Sequence, residues 1–497
     1  MQSTRFVAAF LSLAALALAL SGCEILEDDD IRYVEVAADD ESTIRPVINV
    51  STDQANDLRG LAFAAGGEIY ASGHVGTAAA LQQTVVARFN DDGTLDTTFG
   101  GDGVVEIDVA VGREEQSLGV VELAGGDVVA AVTAIDADGG ESVYLIRLDS
   151  SGNQVTAPLW GDADGLVEVV FGWANADNAG YPGANPPEDT AWDLKLDASG
   201  AGERLVVFGL GSAPEGSGRT DTDRYIVRLD AADGSVDAAF NGGEPFSYHS
   251  TGTFGDNQRR GLVESDGSIV AAGYTNFGGA IRHHVILIRL TPAGELDTAF
   301  GNIVEPAATA TDVPIAAQPG VAVFNPFRVD GGYAECYAVA LQSDGSYVTT
   351  GYGGATGDAI ASTLGYETTV AQDVVAFRLR NTGTTFVDSA WGNDGTQAVQ
   401  SEGMGRPTFE DRGRYVIALP DDRTIHAGRF GGNAAVFVMT AVGQLDAAED
   451  GDGIIELGHP DIDSQFFNVV LSGDGTRVAL STNSNANGVR LVVLEID

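Results

Sequence analysis

Lysine is almost absent from this chain. Lys195 is the only one in 497 residues, and the other basic side chains are all arginine. Twenty-six Lys and Arg face 72 Asp and Glu, for a formal net charge of −46. Such acidity argues against nucleic acid or an anionic lipid surface as partner. It suits a saline or calcium-rich exterior, and equally a GC-rich genome that favours Arg, Ala, Gly and Asp codons. Cysteine is nearly as scarce. Cys23 and Cys336 are the only two. If Cys23 is used elsewhere, Cys336 has no partner and a disulfide framework is excluded. Cys336 lies in the apolar, strand-like run 336–341 and reads as a buried thiol. Long apolar runs are missing too. The longest, Phe6 to Leu20, is too short and too near the N-terminus for a membrane span. There is no nucleophile elbow, no phosphate-cradling glycine loop and no His-Glu-x-x-His. Catalysis is not announced, and binding is the more expected work.

The apolar run follows Arg5 and ends in Leu20-Ser21-Gly22-Cys23. That ending resembles the bacterial lipobox. The resemblance implies that residues 1–22 are a signal peptide and that Cys23 carries the lipid. Several acyl chains on one residue would anchor the protein stably to a membrane. Residues 23–42, opening with Glu24 and the run Glu27 to Asp30, read as an acidic tether. The expected location is the cell envelope, at the outer membrane or cell surface; an acidic residue after the cysteine retains some lipoproteins inside. A monomer is expected.

What the chain has in quantity is one phrase, repeated. It reads Arg88-Phe89-Asn90-Asp91-Asp92-Gly93-Thr94-Leu95-Asp96-Thr97-Thr98-Phe99-Gly100. It returns from Arg228 through Asp237 to Phe240, and from Arg289 through Asp297 to Phe300-Gly301. Around each copy, short apolar runs alternate with Gly and Asp turns, the mark of strands and hairpins. In the first copy, Leu61–Ala65, Glu68–Gly73, Thr84–Phe89 and Val104–Asp108 read as four strands. Both the first turn and the third strand recur seven times. Self-similarity at this period points to a repeat architecture. We expect an all-β, seven-bladed propeller of four-stranded antiparallel blades over residues 43–497, with six or eight blades as alternatives. The seventh unit stops after its third strand. The run Thr43–Val50 precedes the first blade, and we expect it to complete the last one.

The phrase resembles the delta-sixty β-propeller repeat, a family of unknown function. The resemblance implies the fold and no reaction. The fifth unit keeps Arg378, Asp388 and Trp391. The second has Val155 for the Asp and Trp160 near the aromatic position. The sixth has Met439 for the Arg and no aromatic, and the seventh has Glu495 for the Arg. Residues recurring once per blade cannot all meet at one reaction centre. Arg88, Arg228, Arg289 and Arg378 are therefore expected to pair with the Asp eight to ten residues later. Phe99, Phe240, Phe300 and Trp391 are expected to plug between blades.

Function is sought instead in the variable segments, 171–189, 304–335, 353–372 and 400–413. These fall on the end of the propeller opposite the short turns, and scaffolds carry function on such loops. Phe171, Trp173, Tyr181 and Tyr366 are candidates to stack on a sugar ring or clamp a peptide. A glycan or a protein is the expected ligand. Calcium is the one cofactor suggested, from alternate carboxylates at Asp136 and Asp138, Asp162 and Asp164, and Asp450 and Asp452. His74, His283 and His284 could meet at a zinc site only if the fold brings them together. A binding or adhesion scaffold is the first reading. A polysaccharide- or peptide-cleaving enzyme on the same face is the alternative.

Overall fold

The computed structural model describes residues 31–34, 56–76, 82–110, 114–135, 140–172, 188–250, 255–276, 283–304, 316–325, 327, 332–354, 372–381, 385–392, 396–399, 410–457, 465–482 and 491–496. They form seven antiparallel sheets. The innermost strands contact one another in chain order, and the seventh meets the first, closing a ring. In the first blade the strands are Asn56–Phe63, Ile69–Val75, Gln83–Phe89 and Val104–Ile107. The second strand is buried along its whole length. Blades stack face to face, so both faces are covered and the strands read as unbroken apolar runs.

Two expectations need correction. The strand that completes the seventh blade is Ile31–Val34, pairing antiparallel with Leu491–Ile496 from Ile31↔Ile496 to Val34↔Val493. It comes from the stretch expected to be tether. Thr43–Val50 lies outside the described residues. Four residues suffice because the other outer strands are equally short, as at Leu166–Val169 and Phe246–Tyr248. Likewise the segment 304–335 is not loop throughout: Val321–Phe324 is the outer strand of the fourth blade. In the fifth blade that outer position is filled by two pieces, Thr385–Val387 and Thr396–Val399, both paired with Asp373–Asn381.

The repeated phrase links each blade to the next. Arg88 donates to Asp96 at 2.7 Å and to the Ser150 carbonyl of the second blade at 2.7 Å, with its guanidinium 5.1 Å from the Phe99 ring. Arg228 does the same with Asp237, the Pro292 carbonyl and Phe240. Arg289 pairs with Asp297 and Glu264. In the second blade Arg147 uses Asp127, and the ring is Trp160 at 5.6 Å. In the fifth, Arg378 reaches the Ala441 carbonyl at 3.5 Å while Arg380 takes Asp388 at 2.9 Å. Phe99, Phe240, Phe300 and Trp391 are all buried. Trp391 lies against Gly443 in the turn of the sixth blade. A Cβ there would fall 2.3 Å from the indole, and its φ is +80°. Glycine is required twice over, for room and for backbone.

The sixth and seventh blades depart in instructive ways. Val438, not Met439, occupies the arginine position: its N–H donates to the Gly453 carbonyl as that of Arg88 does to Gly103. Glu449 stands where the aromatic should be, fully buried and paired with Arg423 at 2.8 Å. In the seventh blade the pair equivalent to Tyr70↔Arg88 is Ala479↔Val493, so Val493, not Glu495, occupies the arginine position, and Arg477↔Glu495 lies two residues further out. Arg477 reaches the Asp91 carbonyl of the first blade at 3.1 Å.

Candidate functional site: an arginine and aromatic ring in the central channel

Each inner strand loses register once, at the same level. The skipped residues, in blade order, are Arg59, Leu118, Trp192, Arg259, Tyr337, Arg414 and Phe467, with Arg260 skipped beside Arg259. A bulge re-aims a side chain that the pleat would otherwise send between blades. Here the re-aimed side chains meet one another around the axis. Arg59 lies 4.7 Å from the Phe467 ring, and Arg414 lies 5.6 Å from Phe467 and 4.7 Å from Tyr337. Arg259 lies 5.0 Å from Tyr337 and 3.8 Å from Trp192. Cations and rings alternate, each contact worth roughly 0.5–2 kcal/mol.

Arg260 crosses the channel beneath this ring. It is buried, and it donates to the backbone carbonyls of Leu118, Arg59 and Phe467, in the second, first and seventh blades. These are carbonyls of bulge residues. The bulges thus supply both the ring and the acceptors that hold the arginine below it.

The positive charge in the ring is only partly matched. Arg59 is paired with Asp57 at 2.6 Å. Arg259 donates to the Tyr274 hydroxyl at 2.9 Å and the Gln258 carbonyl at 3.1 Å, and its Nε has no partner among the described residues. Arg414 donates to Gln465 Oε1 at 2.8 Å. Among the described residues neither Arg259 nor Arg414 forms an ion pair. Burial pulls the Arg414 guanidinium below its ordinary value. Nearby, Arg224 is buried, its Nε and Nη1 without a hydrogen bond among the described residues and Asp256 ion-paired to Nε at 3.9 Å. Burial lowers it to about 10.

Tyr337 of the ring and its neighbour Tyr352 are shifted in opposite directions. Burial raises Tyr337, but Arg259 and Arg414 outweigh it and hold the phenol below its ordinary range. Tyr352, whose hydroxyl is 3.2 Å from that of Tyr337, is pushed up by burial, Tyr337 and Glu335. Glu335 also bonds His283 at 2.8 Å, and the His283 ring lies 5.0 Å from that of Tyr274. The arrangement can accept an anion on Arg259 and Arg414 and stack its body on flanking rings.

The residues singled out in the sequence fare differently. Trp173, Tyr181 and Tyr366 lie outside the described residues. Phe171 is 4% exposed and stacks on Tyr225 at 5.3 Å, so its ring is spent in the core. Asp162 accepts the N–H groups of Asp164 and Leu166, and Asp452 that of Ile454, which makes them turn caps. Asp450 shares the Asp452 turn at a positive φ of 48°. Asp136 and Asp138 are not among the described residues. Among those that are, no three His, Cys, Asp or Glu cluster for a metal. His74 and His284 sit in strands of the first and fourth blades. Cys336 is buried and free, and burial raises its thiol to about 12.

The beta-propeller family described as a domain of unknown function (DUF5122) matches residues 67–99 and 264–300. These fall in the first and fourth blades. The chain is a seven-bladed β-propeller, and two of its blades contain segments similar to that family. No curated protein matches it. Among solved structures it is similar to the periplasmic gluconolactonase PpgL of Pseudomonas aeruginosa, at 11% identity and a TM-score of 0.41, over 86% of this chain and 94% of that one. It is similar to a luciferin-regenerating enzyme at 9% identity and 0.37, over 91% and 94%. A Hadza microbial sialidase, Hz136, aligns at 12% and 0.38, over 84% and 73%. At such scores none of the three bears on what this chain does.

Proposed function

We propose that the protein is a lipid-anchored binding scaffold of the cell envelope, held by Cys23, and that it takes an acidic glycan at the variable-loop end of its channel. One observation carries this reading. In a chain with 72 acidic and 26 basic residues, Arg259 and Arg414 stand at the channel with no ion pair among the described residues, bonded instead to the Tyr274 hydroxyl and to Gln465. A buried, unpaired cation is costly unless something else balances it. Aromatic rings between the cations give a sugar a surface to stack on. The long variable loops at that end would complete the recognition face, with Trp173, Tyr181 and Tyr366 as its candidates.

The adjoining hydroxyls of Tyr337 and Tyr352, 3.2 Å apart beside Arg259 and Arg414, favour a second reading, cleavage of the bound glycan or peptide with these phenols moving the proton. Mature chain carrying Cys23→Ser, probed on an array of acidic and neutral glycans and peptides, tests both. Selective retention of acidic glycans supports the binding reading. Retention of neutral members alone, or none, removes it. Shortened products among the retained ligands would favour the enzyme.

A further inference from the structure

Beneath Arg260 the channel opens again, toward the short turns, as a cavity of about 570 Å³. Its wall includes Leu61, Phe63, Val120, Leu194, Ile417 and Val469. Lys195 and Tyr415 also line it. They come from the third and sixth blades, and Lys195 Nζ donates to the Tyr415 hydroxyl at 2.6 Å. This is the only lysine of the chain.

The charge around it does not balance. Lys195 donates to Asp193 Oδ1 at 3.0 Å, and Arg260 lies 3.7 Å from the same oxygen. The other Asp193 oxygen accepts the Gly261 N–H. Two cations therefore share one carboxylate. Asp193 and Arg260 are buried, but 26% of the Lys195 side chain is exposed. The Lys195 ammonium is the cation that faces the cavity. Burial pushes the Lys195 ammonium down, yet Asp193 and Tyr415 outweigh it and hold it above its ordinary value. It is a fixed cation, not an amine nucleophile. The rim carboxylates Glu122 and Glu203 are each committed to a backbone N–H, of Ala65 and Ala124.

We propose that this cavity is a second ligand site, at the end of the propeller away from the variable loops, and that it binds a small aliphatic carboxylate. The carboxylate sits on Lys195 Nζ and takes the Tyr415 hydroxyl proton as a hydrogen bond. The alkyl body lies against Leu61, Phe63, Val120 and Ile417. An apolar wall with one convergent pair of polar groups is the usual build of a small-molecule site.

Titration calorimetry of the mature chain with decanoate, and with decanol as the uncharged match, tests this. Decanoate binds at least tenfold more tightly than decanol. Lys195→Met loses that preference and Lys195→Arg keeps most of it. Reductive ¹³C-dimethylation marks Lys195 alone among side chains, and its resonance moves on adding decanoate. Absence of decanoate binding to folded wild-type protein overturns the proposal. So does equal binding of decanol, which needs no variant to fold.

Discussion

Arg423 closes on Glu449 at 2.8 Å in the place where the first blade packs Arg88 over Phe99. The aromatic plug is replaced by a fully buried carboxylate, and Arg423 also reaches Asp421 and Asp446. Glu449→Ala removes the buried partner and opens a hole, and is expected to cost about 3 kcal/mol. Glu449→Phe restores the phrase of the other blades and is expected to recover part of that loss. Urea unfolding of the two variants checks the order; equal losses would contradict it.

The third blade offers the cleanest comparison for the repeated clamp. Arg228 touches Asp237, Asp197, the Pro292 carbonyl and the Phe240 ring. Removing it leaves the buried Asp197 without its cation and Asp237 with only the more distant Arg204 at 3.4 Å, so Arg228→Ala is expected to cost about 3 kcal/mol. Phe240→Ala is expected to cost about 3–5 kcal/mol through transfer and cavity terms. Lysine cannot reproduce the fork, so Arg228→Lys stays well below wild type. Unchanged melting of either alanine variant would show that the phrase is not a structural clamp.

Ring closure by Ile31–Val34 makes a different demand. Without that strand, Leu491–Ile496 becomes a bare sheet edge. A chain starting at Asn56 is expected to melt lower and to self-associate, while one starting at Glu24 stays monomeric. Sedimentation velocity distinguishes them. A monomeric truncated chain with unchanged melting would place closure elsewhere.

Asp189 gives the protein an unusual pH term. It is buried at the start of an inner strand, accepts the Phe171 N–H, and burial raises its pKa to about 8. In the unfolded chain it titrates near 4. The folded state therefore holds its proton longer, and stability falls as pH rises from about 4 to about 8. Asp189→Asn mimics the protonated acid, so its advantage over wild type should grow across that window. His426 acts in the opposite sense: burial lowers it to about 3, so its contribution is lost as pH falls below about 6.5. Melting curves at three pH values are enough. A constant gap between Asp189→Asn and wild type would show that Asp189 is ionised in the fold.

The blades were legible because their signal is local. Turns such as Gly66-Gly67 and Asp266-Gly267 sit at fixed offsets from apolar runs, and Arg88 and Asp96 are eight residues apart. The channel was not, because its partners are joined only by the fold: Lys195 and Tyr415 are 220 residues apart. The bulge position carries no common residue type. Arg59, Leu118 and Trp192 share only a place in the ladder. A trace of it existed, since Gly60 and Gly119 directly follow the bulge residues of the first two blades, and glycine inside a strand marks bulges. The closing strand is hard to place from sequence because Thr43–Val50 is the longer β-prone run, whereas an outer strand needs only four residues.

The central claim is that Arg259 and Arg414 hold an acidic ligand, and the most direct test is the glycan array repeated with Arg259→Gln and Arg414→Gln. Each variant is expected to fold and to lose retention of acidic glycans at least tenfold. Raising salt should weaken wild-type retention in the same way. Undiminished retention by both folded variants would contradict the account and move the binding site off the channel ring.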